Sequence, residues 1–75
     1  MPLINVKVIE GVFSSSQKQE MIKELTEAMV RIEGENLRQV TWVVVEEVRS
    51  GDFGIGGSSL TTEAVKALAA GSGGR

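Results

Sequence analysis

The 75-residue chain contains no cysteine and no histidine. Disulfide frameworks and Cys/His metal sites are thereby excluded. So are Ser-His-Asp and Cys-His catalytic arrangements within one chain. Aromatic residues are scarce: one tryptophan, two phenylalanines and no tyrosine. Eight basic against ten acidic residues leave a net charge of -2, with no basic cluster. Nucleic acid is therefore not an expected partner, because it needs a concentrated positive footprint. The longest apolar run, "VTWVVV", falls far short of a membrane span. No charged region followed by an apolar stretch and a cleavage site opens the chain, so a signal peptide is not expected. The expectation is a cytoplasmic protein without a cofactor or a membrane partner.

What is present fits one domain, placed at residues 1–70 with a flexible tail at 71–75. A chain this short buries only about 60% of the surface its unfolded form exposes, so a lone core is marginal. Small domains add disulfides, a metal or subunit partners. With the first two excluded, oligomerisation is the remaining route.

Leu3 to Ile9 alternate, with Ile4, Val6 and Val8 on one face and Asn5 and Lys7 on the other, which predicts a strand. Ser14 with Gln17, or Ser16 with Gln19, matches a capping box. A helix is predicted over 15–33, because Met21, Ile22, Leu25, Ala28, Met29 and Ile32 recur on one stripe. Gly34 is a candidate C-cap. "QVTWVVVEEV", residues 39–48, reads as a second strand that is apolar on both sides and hence covered on both. One face can take the helix; the other requires a second subunit. Strand, helix and strand make a βαβ unit with parallel strands. "RSGDFGIGGSSL" reads as a tight turn or short hairpin, and "TTEAVKALAAG" as a short helix with Val65 and Leu68 as its apolar contacts.

Few groups can do chemistry. "GIGGSS" at 54–59 lacks both the G-K-[ST] ending of a P-loop and the third glycine of a dinucleotide fingerprint. Glu46 and Glu47 are neighbours on a strand, so their side chains point to opposite faces and do not share an acid/base site. Pro2 remains, the only proline. Methionine is normally removed ahead of a small residue such as proline, leaving a secondary amine. An α-amino group has a reference pKa of about 8, and an apolar site lowers it. A neutral amine near pH 7 is a usable general base. The competing reading is that Pro2 merely opens a strand, where its missing N–H costs nothing.

Pro2, the alternating strand ending in Glu10-Gly11, "QKQEMIKELTEAM" and "GDFGIGG" at 51–57 together resemble the 4-oxalocrotonate (2-hydroxymuconate) tautomerase family. The resemblance covers roughly residues 2–57. It implies an α+β fold: a βαβ protomer with parallel strands and a short C-terminal hairpin, assembled into a hexamer that is a trimer of dimers. It implies that Pro2 is the general base, moving a proton between an enol or dienol and its conjugated ketone. It also implies that Phe53 lines an apolar pocket that keeps the proline amine's pKa low, while the glycine-rich hairpin packs against neighbouring subunits.

Two departures from the family pattern bear on substrate. Where the family has an arginine straight after Glu-Gly, this chain has Val12, or Phe13 if the loop is one residue longer. Where a second arginine sits early in the second strand, it has Trp42 or Thr41. Neither an apolar nor a hydroxyl side chain replaces arginine's fork for a carboxylate. A dicarboxylate such as 2-hydroxymuconate is thus an unfavourable substrate. Arg38 and Arg49 flank the strand and could serve from another direction, although both also fit as surface residues. The candidate site is Pro2 as base, with Phe53, Trp42, Ile9 and Arg38 as substrate-binding residues. Three readings compete: a tautomerase of altered specificity acting on an unsaturated 2-oxo or 2-hydroxy acid, an inactive or accessory subunit of a heterohexamer, and a small-molecule binding protein.

Overall fold

The structure is a computed structural model that describes residues 2–71. The tail expected at 71–75 lies, apart from Gly71, outside the described residues. The elements run β1 (Leu3–Ile9), α1 (Ser15–Glu33), a 3₁₀ helix (Glu35–Val40), β2 (Trp42–Val48), β3 (Phe53–Ile55), β4 (Ser58–Leu60) and α2 (Thr62–Ala69). β1 and β2 form one two-stranded sheet and β3 and β4 another. The first is parallel: the Trp42 N–H donates to the Pro2 carbonyl at the strand starts, and the Glu10 N–H to the Val48 carbonyl at their ends. This is the expected α+β arrangement. The described residues fall into two compact units, one of 2–6 and 14–46, the other of 7–13 and 47–71.

In the first unit, α1 starts where the capping box predicts. The Gln17 N–H donates to Ser14 Oγ at 3.1 Å and the Ser14 N–H to Gln17 Oε1 at 2.8 Å. Gly34 ends the helix at φ 101°, its N–H returning to the Val30 carbonyl. Val30, 8% exposed, is the buried residue of this helix, whereas Ile32 of the predicted stripe is 82% exposed. Two residues along a helix turn it by roughly 200°, so a face centred near Val30 leaves Ile32 outside.

The second strand was predicted from Gln39 but starts at Trp42. Residues 35–40 instead make a 3₁₀ helix, because side chains hold the chain coiled after Gly34. Arg38 bonds back to Glu35, and Thr41 Oγ1 donates to the Leu37 carbonyl at 2.8 Å. Those bonds outweigh the weak strand preference of Gln39 and Val40.

The second unit contains the hairpin, with Phe53 opposite Leu60, Gly54 opposite Ser59 and Ile55 opposite Ser58. Its two-residue turn is Gly56-Gly57 at φ 59° and 87°. Positive φ at both central positions is the type I′ turn that suits strand twist. Thr61 caps α2, its Oγ1 accepting from the Ala64 N–H at 3.1 Å. Thr62, 9% exposed, ties the unit together. Its Oγ1 donates to the Glu10 carbonyl at 2.6 Å, and its N–H to Ser50 Oγ at 2.9 Å. Glu10 Oε2 in turn accepts from the Ser50 N–H at 2.9 Å. Ile9, 4% exposed, is the buried apolar residue here.

Candidate functional site

The five candidate residues divide between the two units. Pro2, Trp42 and Arg38 belong to the first; Ile9 and Phe53 belong to the second.

Pro2 directly precedes β1 and is half-buried. Proline has no N–H for the ladder, but its carbonyl still accepts, and the Trp42 N–H fills that place at 2.9 Å. This bond fixes the residue that precedes β1 against the first residue of β2. The Trp42 side chain is 60% exposed. Thr41, the other residue at this point, has one hydroxyl proton, which is shared between the Leu37 carbonyl and the Glu33 carboxylate.

Arg38 is engaged on both sides. Its Nη1 and Nη2 donate to Glu27 Oε2 and Oε1 at 2.6 and 3.1 Å. Its Nε and Nη2 donate to Glu35 Oε2 and Oε1 at 2.5 and 3.1 Å. Both are fork-to-carboxylate pairs, the geometry arginine's planar donors favour. Hydrogen bonding from Arg38 holds both carboxyl groups below the usual carboxylate range. The bonds from Glu27 and then Glu35 push the guanidinium pKa up in return. About a third of each side chain of the Arg38–Glu27 pair is exposed, so water and salt screen the cluster.

In the second unit, a cavity of about 200 Å³ is lined by Lys7, Val8, Ile9, Phe13, Phe53, Leu60 and Val65. Ile9 and Phe53 thus share one apolar wall. The hairpin register explains part of it, because Phe53 and Leu60 are direct cross-strand partners. Phe13, one of the two residues standing where the resembled family carries arginine, also lines the cavity; Val12 does not. An adjoining recess is lined by Lys7, Val48, Asp52, Phe53 and Gly54.

Sequence reasoning assigned no site role to Lys7, Leu60 or Val65, nor to the Glu27 and Glu35 carboxylates. Val65 was visible only as an apolar contact of the last helix. Leu60 could have been found by pairing outwards from Gly56-Gly57, which brings it opposite Phe53. Among the described residues no three acidic side chains are grouped as a metal site would require. No helix there is long and apolar enough to cross a membrane.

Comparisons with known proteins agree on one relationship. Residues 2–63 match the family model described as tautomerase enzyme. A probable tautomerase of Campylobacter jejuni is 39% identical over 69 residues, covering 92% of this chain and 97% of that protein. Among solved structures, DmpI of Helicobacter pylori is similar with a TM-score of 0.70 and 33% identity, over 79% of this chain and 95% of that one. The 4-oxalocrotonate tautomerase isozymes of Methylibium petroleiphilum give a TM-score of 0.69 and 31% identity, over 77% and 90%.

Proposed function

The chain belongs to the tautomerase enzyme family, and from that premise we propose a keto-enol isomerase that uses Pro2 as its general base on an unsaturated 2-oxo or 2-hydroxy acid. The observation that carries the reading is the seating of Pro2. It is half-buried, at the head of β1, with its carbonyl held by the Trp42 N–H at 2.9 Å. A base fixed in this way can meet a substrate with little reorganisation.

With Met1 removed, the secondary amine of Pro2 takes the proton from the enol hydroxyl. The electron pair left on oxygen forms the ketone carbonyl, and the conjugated chain becomes nucleophilic at carbon. The prolinium then returns its proton to that carbon, so the base is regenerated and the substrate is isomerised. In this reading Phe53 and Ile9 receive the apolar body of the substrate, and the Trp42 indole contributes a further apolar surface. Arg38 binds a substrate carboxylate only by exchanging one of its two carboxylate partners, Glu35 being the more exposed.

The assembly is part of the same reading. Leu3, Trp42 and Val44 are exposed large apolar residues in the first unit. They favour a homohexamer, or a heterohexamer with a related chain. We also retain residues 1–70 as one functional domain acting in the cytoplasm. The accessory-subunit reading draws support from non-cationic residues at Val12, Phe13, Thr41 and Trp42; native mass spectrometry of protein from its own host would reveal a second chain type.

The test is turnover of 2-hydroxymuconate and phenylenolpyruvate by protein whose Met1 removal has been verified by intact mass, beside Pro2→Ala. Loss of a positioned base should lower kcat by about 10²- to 10⁴-fold. If neither substrate reacts faster with the parent protein than with Pro2→Ala, the enzyme reading fails for these classes.

A further inference from the structure

We infer that Thr41 is a positioning residue for Pro2: tied to Glu33 and to the Leu37 carbonyl, it orients the Trp42 N–H that holds the Pro2 carbonyl, and so aims the proline nitrogen. This role deepens the function proposed above and rests on Pro2 being the base. Every group in the relay lies in the first unit.

Thr41 stands where the chain passes from the 3₁₀ helix to the extended conformation, at φ -94° and ψ 120°. Three acceptors fix it there. Its N–H donates to the Arg38 carbonyl at 3.2 Å. Its hydroxyl proton is shared between the Leu37 carbonyl, 2.8 Å away, and the Glu33 carboxylate. Glu33 is the last residue of α1, so the side-chain bond ties the residue before β2 to the end of the helix. A β-branched side chain is stiff about χ1, and anchoring its hydroxyl therefore restrains the backbone that carries it.

The next link is covalent. The Thr41 carbonyl and the Trp42 N–H belong to one planar peptide, so turning Thr41 swings that N–H with it. The N–H meets the Pro2 carbonyl at 2.9 Å. On the other side of that bond, the pyrrolidine ring locks rotation about N–Cα. With the carbonyl held, rotation about Cα–C is the one backbone torsion left between the anchor and the nitrogen. A primary amine would keep a second rotor. The direction of the proline lone pair is thus set from the end of α1, through Glu33, Thr41 and the Trp42 N–H. Orientation of this kind carries rate, since a misplacement of about 1 Å can cost about 10²-fold.

The experiment compares the parent protein with Thr41→Val, Thr41→Ser and Thr26→Val, Met1 removal being verified for each. Turnover is followed on whichever of 2-hydroxymuconate and phenylenolpyruvate the parent converts. Valine keeps the branched shape but has no proton to share. Thr41→Val should lower kcat by about 10- to 100-fold and leave KM nearly unchanged, the mark of an effect confined to the transition state. Thr41→Ser should recover most of the loss. Thr26 Oγ1 donates to the Ile22 carbonyl at 2.7 Å in the same unit but takes no part in the relay. Thr26→Val should therefore keep the parent kcat. In Pro2→Ala, whose nitrogen turns freely, adding Thr41→Val should have little further effect, because the two substitutions act on one unit. Amide hydrogen exchange by NMR should show the Trp42 N–H exchanging faster in Thr41→Val and slowed again in Thr41→Ser. Circular dichroism and native mass spectrometry check that each variant is folded and assembled.

A parent-like kcat in Thr41→Val overturns the proposal. So does an equal loss in Thr26→Val, a loss that serine does not recover, a full additional loss in the Pro2→Ala background, or unchanged exchange at Trp42. The two readings fail separately. A rate lost in Pro2→Ala but kept in Thr41→Val sinks the positioning role alone. A rate equal in the parent and Pro2→Ala sinks the base itself, whatever the exchange at Trp42 shows.

Discussion

The two units differ in where they place their polar clusters and in whether their apolar residues enclose a recess. In the first, charged and polar side chains engage one another: Arg38 with Glu27 and Glu35, and Asn5 Nδ2, a neutral donor, with Glu46 Oε1 at 3.0 Å. Large apolar residues are left on the outside, with Leu3 and Trp42 each about 60% exposed. In the second, hydrogen bonds join Glu10, Ser50 and Thr62 as a staple and several apolar residues line a recess, while Ile55 and Leu68 stay on the outside. An outward apolar face of several large side chains calls for another protein surface. A recess lined mainly by apolar side chains fits a small molecule.

The largest expected effect breaks the first half of that comparison. Val44 lies two residues from Trp42 on β2 and hence on the same strand face. Val44→Lys would place an ammonium in whatever surface covers that face, at a cost of several kcal/mol per buried copy. Native mass spectrometry should show the parent protein as an oligomer and the variant as a smaller species, with far-UV circular dichroism reporting retained helix. A monomeric parent protein, or a folded variant that assembles normally, would remove the reason for treating the first unit as the assembly surface.

The next effect probes the staple. Gly11 has φ +80°, and a Cβ there would come within 3.0 Å of Thr62 Cγ2. Thr62 cannot turn aside without losing its bond to the Glu10 carbonyl. Gly11→Ala should therefore destabilise the protein by about 1–3 kcal/mol, read by urea denaturation at one fixed subunit concentration. Adding Thr62→Ser removes Cγ2 while keeping the hydroxyl, so the double variant should recover part of the loss. No recovery would mean that the positive φ alone sets the cost and that the staple is not tightly packed.

Local pattern made some of this legible and hid the rest. Period-two alternation located Leu3–Ile9 as β1, and the S-x-x-Q box set the start of α1, since both depend on neighbours in sequence. The start of β2 differs from the expectation because side-chain bonds of Arg38 to Glu35 and of Thr41 to Leu37 keep the chain coiled, with Arg38 also reaching Glu27 eleven residues back, contacts that no propensity encodes. Ile32 fitted the helical stripe by spacing, yet Val30 is the residue packed inwards, because the direction of the face is set by what the helix packs against. At the site, Phe53 was visible through the glycine motif around it. Leu60 and Lys7 were not: one lies in a glycine- and serine-rich stretch without periodicity, and the other on the polar side of an alternating strand. A wall built from a strand, a hairpin and a helix is a property of the register, which the sequence specifies only through turn geometry.

The smallest expected effect concerns acid stability and returns to the first unit. Glu27 and Glu35 have carboxyl pKa values lowered in the folded protein, first of all by hydrogen bonding from Arg38. A carboxyl whose folded pKa lies below its unfolded value favours the native state above the ordinary carboxylate range. That contribution fades as the pH falls through the lowered pKa, because the unfolded chain takes up protons first. Stability should therefore fall as the pH drops from about 5 into the acid range. In Arg38→Met both carboxyls return towards their ordinary values, and this part of the slope flattens. Because the cluster is exposed and screened, added salt should reduce the difference between the two proteins. The decisive comparison is thermal melting of both across that pH range at low and high salt. Parallel acid limbs would show that the cluster, for all its short bonds, adds no pH-dependent stability.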